Sequence, residues 1–456
     1  MAMEAAANGS AASAPAADAG ERVSGRAWFT AIALFLAYIL SFADRTILSL
    51  LVEPIKHDLG ISDLQVSLLL GFAFAALYTT LAIPLSILAD RANRRNIITV
   101  GMGLWTLATA ACGLATSYAS LFAARVAVGV GEAALGPSAN SLMADLFPRR
   151  LLGRALSIYN AGVYLGSGGA LLIGGAVAAA VMQAGSVQVP VLGELKAWQA
   201  AFVVMGAIGI PFVALLFFVR EPVRQHAPPE QVSLGALFQH LRRDAVFLLC
   251  FAGGMTLVSL GGYAYLSWAP TIFIRIHHWP LHETGMIVGS IVAIVGTASA
   301  LLGSRLAELW ERRGARDAIL RLMGIAALAE GIFGLLVASS SDRLALLGFG
   351  LVMVFSAMPI GIAHAALQLT TPPRVRAKVT ALFMLFNNLV GLGLGPIAVA
   401  FTTERLYGSA DALNRSVATV GIIVLVAGFL IFLFARKPYI RALDREEAMR
   451  HAVVQA

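Results

Sequence analysis

Four ionisable side chains lie inside apolar stretches of this sequence and could do chemistry there. Arg125 and Glu132 are seven residues apart in one stretch, which is two helical turns and about 10 Å along one helix face. Asp44 and Arg45 are neighbours in another stretch. Each such group costs roughly 2.5 to 3.5 kcal/mol near a bilayer centre, so we expect all four to meet around a water-filled cavity.

The formal charges of these four side chains cancel, because two acids accompany two arginines. Protonation of one carboxylate leaves the group at +1, which suits one anionic ligand. We expect Arg125, with or without Arg45, to hold an anion while Glu132 or Asp44 takes up a proton, since loss of nearby positive charge favours protonation. The alternative is a structural ion-pair network that only locks the helices together.

The elements that position these residues are membrane helices. The chain has 456 residues, of which 59% are hydrophobic and 13% charged, and this composition excludes a soluble domain of that length. Apolar runs of about 20 residues, each long enough to cross about 30 Å of hydrocarbon, recur twelve times. We predict spans at 27–51, 64–88, 96–116, 118–142, 154–181, 198–219, 245–274, 285–305, 318–338, 343–370, 378–402 and 414–435.

The lysines and arginines outside the spans fix the topology. The termini and the loops on their side of the membrane carry 24 of these residues, and the loops on the opposite side carry 6. The positive-inside rule therefore places both termini in the cytoplasm. This distribution explains the basic pI without a nucleic-acid partner. We expect a disordered cytoplasmic tail at 1–26, six-helix bundles at 27–220 and 245–436, a cytoplasmic linker at 221–244 and a cytoplasmic tail at 437–456.

The two halves repeat each other. Residues 86–95, SILADRANRR, are similar to residues 304–317, SRLAELWERRGARD. Residues 148–166 are likewise similar to residues 373–393. A parallel duplication of this kind places the substrate site between the halves at mid-membrane. The predicted fold is an all-α integral membrane protein with twelve transmembrane helices in two six-helix bundles.

Residues 86–95 resemble the signature loop G-x-x-x-D-R-x-G-R-R of the major facilitator superfamily, and the likeness extends over nearly the whole chain. Both signature glycines are replaced, by Ser86 and Asn93. The resemblance implies a cytoplasmic gating latch that closes that side when the cavity faces outward. Its residues are Asp90, Arg91, Arg94, Arg95, Asp145 and Arg154.

Two further segments resemble the Spinster-type transporters of that superfamily. They are residues 42–62, FADRTILSLLVEPIKHDLGIS, and residues 124–148, ARVAVGVGEAALGPSANSLMADLFP. The resemblance implies proton-linked or facilitated movement of an amphipathic lipid, such as a lysophospholipid or sphingoid phosphate. The Asp-Arg pair of the first segment also occurs in organic-anion symporters of the superfamily.

The second half offers a different set of side chains, with His364 as its one ionisable member. Such a wall suits apolar matter with a few hydrogen bonds, so a cavity between the halves would fit an amphiphile better than a sugar. The possible cavity-lining residues are Tyr263, Tyr265, Trp268, His364, Gln368, Asn387 and Asn388. Adjacent helix positions point about 100° apart, so we expect one of the two asparagines to pack between helices.

Glu330 and His364 are the remaining ionisable residues well inside the spans. For Glu330 we favour a local hydrogen bond to the backbone or a neighbouring helix over a function. His364 is either simply hydrogen-bonded or takes part in proton coupling.

We therefore predict a secondary transporter that couples movement of an anionic amphiphile to protons. We expect it to act as a monomer in a cell membrane, and the membrane that we expect is a bacterial inner membrane. Its partners are the substrate, protons and membrane lipids, and no cofactor, metal or catalytic residue is expected. The alternative is a proton symporter for a small organic anion. A membrane-embedded lipid enzyme is disfavoured, because the acids are matched by arginines and no metal-ligand cluster is present in the sequence. A passive channel is disfavoured by the duplicated gating loops.

Overall fold

The structure is a computed structural model that describes residues 23–184, 187–189, 193–224 and 234–455. Almost all of these residues are helical, and an antiparallel hairpin of β1 (Val187–Val189) and β2 (Gly193–Leu195) is a small addition. Most of the N-terminal tail predicted at 1–26 and part of the linker lie outside the described residues. A short linker helix covers Leu234–Arg243.

Twelve long helical segments make up most of the described chain, and we number them span 1 to span 12 in chain order. They are Gly25–Leu50, Asp63–Arg91, Arg94–Cys112, Tyr118–Leu146, Arg149–Ala184, Ala197–Leu216, Ala245–Arg275, Leu281–Arg312, Ala318–Ala338, Asp342–Thr370, Arg374–Tyr407 and Leu413–Gln455. A separate short helix, Val52–Leu59, follows span 1. Within the described chain, eleven spans have the length and hydropathy to cross a membrane; span 3 begins with two arginines, which lower its mean hydropathy. The twelve predicted spans are therefore present.

Some boundaries differ from the prediction because polar residues continue a helix beyond the apolar run. Span 12 continues without a break to Gln455, so a helix occupies most of the predicted tail at 437–456. Arg316, in the turn before span 9, pairs with Asp444 at 2.7 Å and Glu447 at 2.8 Å on this extension. The extension is thus attached to the second half.

The spans pack as two sets of six. In the first half, span 1 packs against span 5, span 2 against span 4, and span 3 against spans 4 and 6. In the second half, span 7 packs against spans 11 and 12, span 8 against span 10, and span 9 against spans 10 and 12. Four of these pairings recur at positions six spans apart, as a 6+6 duplication requires.

The halves meet where span 5 contacts span 8, span 2 contacts span 11, and span 1 contacts span 7. Glycine permits the closest approach: a Cβ on Gly71 of span 2 would lie 2.6 Å from the carbonyl oxygen of Gly393 in span 11. We call the end where span 1 begins the terminal face and the end where it finishes the distal face. At the distal face, Arg275 binds Asp63 at 2.8 Å and Glu53 at 2.6 Å across the halves. The structure is therefore closed at the distal face.

Candidate functional site

Span 4 is interrupted directly after Glu132. Its first helix is Tyr118–Glu132, and a second helix, Leu135–Leu146, follows after two turn residues. Pro137 lacks the backbone N–H that would continue the helical hydrogen bonds, and its ring conflicts with the carbonyl group four residues earlier. The break leaves Glu132 at a helix end inside the bundle, where its side chain reaches span 1.

Glu132 forms a three-donor contact with span 1. Its Oε2 atom accepts from Arg45 Nε at 2.7 Å and from Ser41 Oγ at 2.5 Å, and Arg45 Nη2 lies 2.6 Å away. Ser41 and Arg45 are four residues apart and therefore share a helix face, and Arg45 Nη2 also donates to Ser41 Oγ at 3.2 Å. The other oxygen, Oε1, is buried, and no described residue donates to it. One oxygen thus holds the cation, and the other has no donor among the described residues.

Aromatic rings surround the Arg45 guanidinium. Its central carbon lies 4.5 Å from the ring centre of Phe42, 4.3 Å from that of Phe74 and 4.7 Å from that of Tyr78. These distances are within cation–π range. The Arg45 side chain keeps 11% of its surface exposed, whereas that of Glu132 has none. The Arg45 side chain is therefore the more exposed member of the pair.

Asp44 and Arg125 form a neighbouring, more deeply buried group. Arg125 Nη1 donates to the backbone carbonyl of Asp44 at 2.9 Å, and Nε donates to that of Leu69 at 3.4 Å. The Asp44 carboxyl lies beside Thr109, and within the described ranges its Oδ1 atom has no hydrogen-bond partner. Arg125 is thus fixed mainly by backbone carbonyls of spans 1 and 2.

The four residues singled out from the sequence do come together, since Asp44 lies within electrostatic range of Arg45, Arg125 and Glu132. Their pairing differs from the simplest expectation. Glu132 pairs with Arg45 on another span, although Arg125 is on its own span. Sequence reasoning missed Ser41, which its four-residue spacing from Arg45 could have indicated.

The second half contributes Tyr263 to the surroundings of this pair, because Tyr263 lies within electrostatic range of Arg45. Tyr38 and Tyr159 stack with ring centres 4.2 Å apart on the first-half side. Sequence reasoning also missed this tyrosine pair, together with Phe42, Phe74 and Tyr78. Aromatic side chains alone do not reveal whether they face a partner helix or a site.

Two other predicted cavity residues are buried in helix packing instead. Tyr265 is 1% exposed, and Trp268 is fully buried with its indole N–H donating to the Pro396 carbonyl at 3.0 Å. Asn387 accepts from Ser259 at 2.8 Å, so it packs span 11 against span 7, as expected for one of the asparagines. Asn388 is half-buried.

The remaining predicted residues lie on span 10. His364 is half-buried, with its ring 6.5 Å from that of Phe383 in span 11, and Gln368 is exposed.

Glu330 is completely buried in span 9. The hydrogen bond expected for it is not present, because neither carboxyl oxygen has a partner among the residues that the structure describes.

At the terminal face, part of the predicted latch is assembled inside the first half. Arg94 binds Asp145 at 2.6 Å and Glu221 at 2.7 Å, and the backbone N–H of Arg95 donates to Glu221 at 3.0 Å. Sequence reasoning missed Glu221, because it lies in the linker and not in the motif.

The other predicted latch residues have different positions. Asp90, Arg91 and Arg154 are exposed, and the backbone carbonyl of Asp90 accepts a hydrogen bond from Arg224.

Comparison with known proteins agrees with this architecture. Residues 34–396 match the Major Facilitator Superfamily. An MFS-type efflux pump of Mycolicibacterium smegmatis is 28% identical over 92% of this chain and 95% of its own length. The probable L-galactonate transporter of Escherichia coli is 25% identical over 89% of this chain and 88% of its own.

A solved structure also resembles this chain closely. It is the inward-facing, unoccupied form of a bacterial homolog to the human lysosomal transporter Spinster, with 26% identity and a TM-score of 0.73. The similarity covers 93% of this chain and 98% of that one. The chain belongs to the Major Facilitator Superfamily and is a multi-pass, Spinster-like membrane transporter, not an enzyme.

Proposed function

We propose that this chain moves an anionic amphiphile by alternating access, with proton movement coupled at the Arg45–Glu132 pair. The observation that carries the proposal is the geometry of Glu132. One of its oxygens is held by Arg45 and Ser41, and the other is buried without a donor among the described residues. An anionic substrate can therefore compete with the Glu132 carboxylate for Arg45, and proton uptake by that carboxyl group accompanies substrate binding.

The exchange follows from the accessibility of the two partners. An anionic headgroup that reaches Arg45 takes over guanidinium donors, which suit phosphate and carboxylate oxygens in pairs. Glu132 is then a buried carboxylate without its cation, which is energetically unfavourable. Protonation of the carboxyl group removes this energetic cost. Asp44 and Arg125 remain as the fixed neighbours of this exchange, held by backbone contacts.

The rings around Arg45 support an amphiphilic substrate. Phe42, Phe74 and Tyr78 offer apolar surface next to the positive charge, and Tyr263 adds an aromatic side chain from the other half. A sugar would need many polar groups in place of these rings. The resemblance of residues 42–62 and 124–148 to Spinster-type transporters implies a lysophospholipid or sphingoid phosphate, which is the substrate class that we propose.

A small organic acid is the second candidate, and the similarity to a probable L-galactonate transporter favours it. The candidates differ in what they bind. In detergent, oleoyl lysophosphatidate should raise the melting temperature if the amphiphile proposal is right, whereas galactonate should leave it unchanged. A melting temperature raised by galactonate and not by oleoyl lysophosphatidate would identify a small organic acid as the substrate.

Transport in proteoliposomes tests the coupling. Native protein should move labelled lysophosphatidate faster when a pH gradient is imposed, and Glu132→Gln should lose this acceleration. Glu194→Gln is the matched control, because Glu194 is exposed on the β2 strand and far from the pair in the sequence. Equal acceleration in Glu132→Gln and native protein would contradict coupling at Glu132.

Alternating access further requires gates at both faces. The cross-half contacts of Arg275 with Glu53 and Asp63 close the distal face, and we propose that the Arg94–Asp145–Glu221 cluster belongs to the terminal-face latch. Since we predict that both termini are cytoplasmic, the closed distal face is the outer face in this proposal.

The distal gate can be tested with a thiol placed at the seam. Ser49 is buried there, and its carbonyl accepts a hydrogen bond from Thr271 of the other half. In a background without Cys112 and Cys250, Ser49→Cys should be labelled faster once Arg275→Gln is added. Arg405→Gln, an exposed change at the same face, is the control. Equal labelling with and without the Arg275→Gln change would argue against an ionic gate.

A further inference from the structure

Glu330 is a buried acid that the exchange at Arg45 does not use. It lies in the middle of span 9 with no exposed surface, and both carboxyl oxygens are without hydrogen-bond partners in the described part of the chain. No arginine, lysine or histidine among those residues forms an ion pair with it. A charged carboxylate in such surroundings would be very unfavourable.

The surroundings of Glu330 come from several spans. A Cβ added to Gly262 of span 7 would lie 3.7 Å from Glu330 Oε1 and 3.7 Å from Ser356 Oγ of span 10. Span 12 presents Leu425 and Ile422 to the neighbouring Gly331. Near the acid, these contacts place a glycine, the Ser356 hydroxyl and apolar side chains.

The titratable groups that face Glu330 are tyrosines. Tyr265 of span 7 and Tyr164 of span 5 lie within electrostatic range of its carboxyl, and among the described residues neither span 10 nor span 12 adds a charged group there. Tyr265 carries a buried hydroxyl that also lacks a partner within the described chain. Two unpartnered polar groups therefore lie near each other inside the second half.

Tyr164 links this place to the motion of the halves. It belongs to the first half, yet its ring packs against Gly296 of span 8, and it lies within range of both Glu330 and Tyr263. A rocking movement that separates span 5 from span 8 would remove this tyrosine from the environment of Glu330. The environment of the acid therefore depends on which face is closed.

We propose that Glu330 is a second proton-binding site: it is protonated while the distal face is closed and exchanges its proton when the halves move apart. The ligand is a proton and not a metal cation, because the described surroundings offer one carboxyl group and the hydroxyls of Ser356 and Tyr265, too few oxygen ligands for a metal ion. This inference goes beyond the proposed function and does not require Glu132 to couple protons.

Infrared spectroscopy of the full-length protein in detergent tests the protonation. Native protein at neutral pH should show the carbonyl stretch of a protonated carboxyl group, and Glu330→Gln should lose that band. Glu194→Gln, a change of an exposed glutamate, is the matched control and should keep it. If Glu330→Gln fails to fold, Glu330→Met serves for the same assignment. A spectrum that Glu330 variants leave unchanged would overturn the proposal.

Hydrogen–deuterium exchange of the same band tests the link to movement. In deuterated buffer the band should shift several-fold faster in Arg275→Gln, whose distal clamp is broken, than in native protein. An equal rate in both proteins would show a neutral acid that does not exchange during the cycle, and that result would also overturn the proposal. Because no substrate is added, failure here is separate from failure of transport coupling at Glu132.

Discussion

Glu132 and Glu330 are two buried glutamates whose surroundings are opposite. Glu132 in the first half is 1% exposed and its Oε2 accepts hydrogen bonds from Arg45 and Ser41. Glu330 in the second half is 0% exposed and neither oxygen has a partner among the described residues. The two side chains are equally buried, so their hydrogen-bond and ion-pair partners determine whether each acid is ionised or protonated. A carboxyl next to a guanidinium is stable as an ion, and one among apolar side chains is stable only when neutral.

This comparison assigns different tasks to the two halves. The first half keeps a balanced set of charges, which an anionic substrate disturbs in the function that we propose. The second half keeps a single acid for which the described residues supply no cation. The same change of Glu to Gln should therefore have very different effects on stability at the two positions.

Glu132→Gln should have the largest effect on stability. It leaves the Arg45 guanidinium in the membrane interior without its counter-ion, and arginine does not neutralise itself by losing a proton. Removal of one partner from a buried ion pair costs about 3 to 5 kcal/mol in the free energy of unfolding. Thermal or denaturant unfolding in detergent measures the loss. A cost as small as that of Glu330→Gln would contradict the comparison.

The double variant Arg45→Met with Glu132→Gln should recover most of that loss. Neutral side chains of similar size often replace a buried ion pair with little change in stability. We expect a free energy of unfolding within about 1 kcal/mol of that of native protein, but no pH-driven transport. If the double variant is as unstable as Glu132→Gln alone, the cost does not come from the unpaired guanidinium.

Ser41→Ala should have an intermediate effect. The hydroxyl donates to the Glu132 carboxylate at 2.5 Å, and a hydrogen bond to a charged group contributes roughly 1.5 to 3 kcal/mol. Ser157→Ala is a suitable control, because its exposed hydroxyl donates to a backbone carbonyl of its own helix. Equal free energies of unfolding for the two variants would show that the Ser41 hydroxyl does not stabilise the Glu132 carboxylate.

Glu330→Gln should have the smallest effect. A neutral amide replaces a neutral acid of nearly the same shape, so we expect a change of less than about 1 kcal/mol in the free energy of unfolding. The measurement is the same unfolding experiment at neutral pH. A loss comparable to that of Glu132→Gln would show that Glu330 carries a charge and has a partner.

The sequence allowed the architecture and the charged cluster to be predicted for clear physical reasons. Spans follow from apolar runs, because a helix needs about 20 such residues to cross the membrane. Asp44, Arg45, Arg125 and Glu132 converge as expected, since isolated charges in hydrocarbon are costly.

Partner choice could not be predicted in the same way. Helix periodicity places Arg125 and Glu132 on one face but does not determine which neighbouring helix supplies the partner, and Arg45 of span 1 is that partner. The sequence similarly indicates Trp268 and Tyr265 as possible cavity-lining residues, although they pack inside the second half. Glu330 shows the same limit, because a sequence does not reveal whether a neighbouring helix offers a donor.

Calorimetry of lysophosphatidate binding in two buffers with different ionisation enthalpies tests the central claim most directly, since the difference in heat gives the number of protons taken up. Native protein should take up one proton for each ligand bound to the Arg45 side chain, and Glu132→Gln should bind without proton uptake. Equal proton uptake by the two proteins would contradict the assignment of substrate and proton exchange to the Arg45–Glu132 pair.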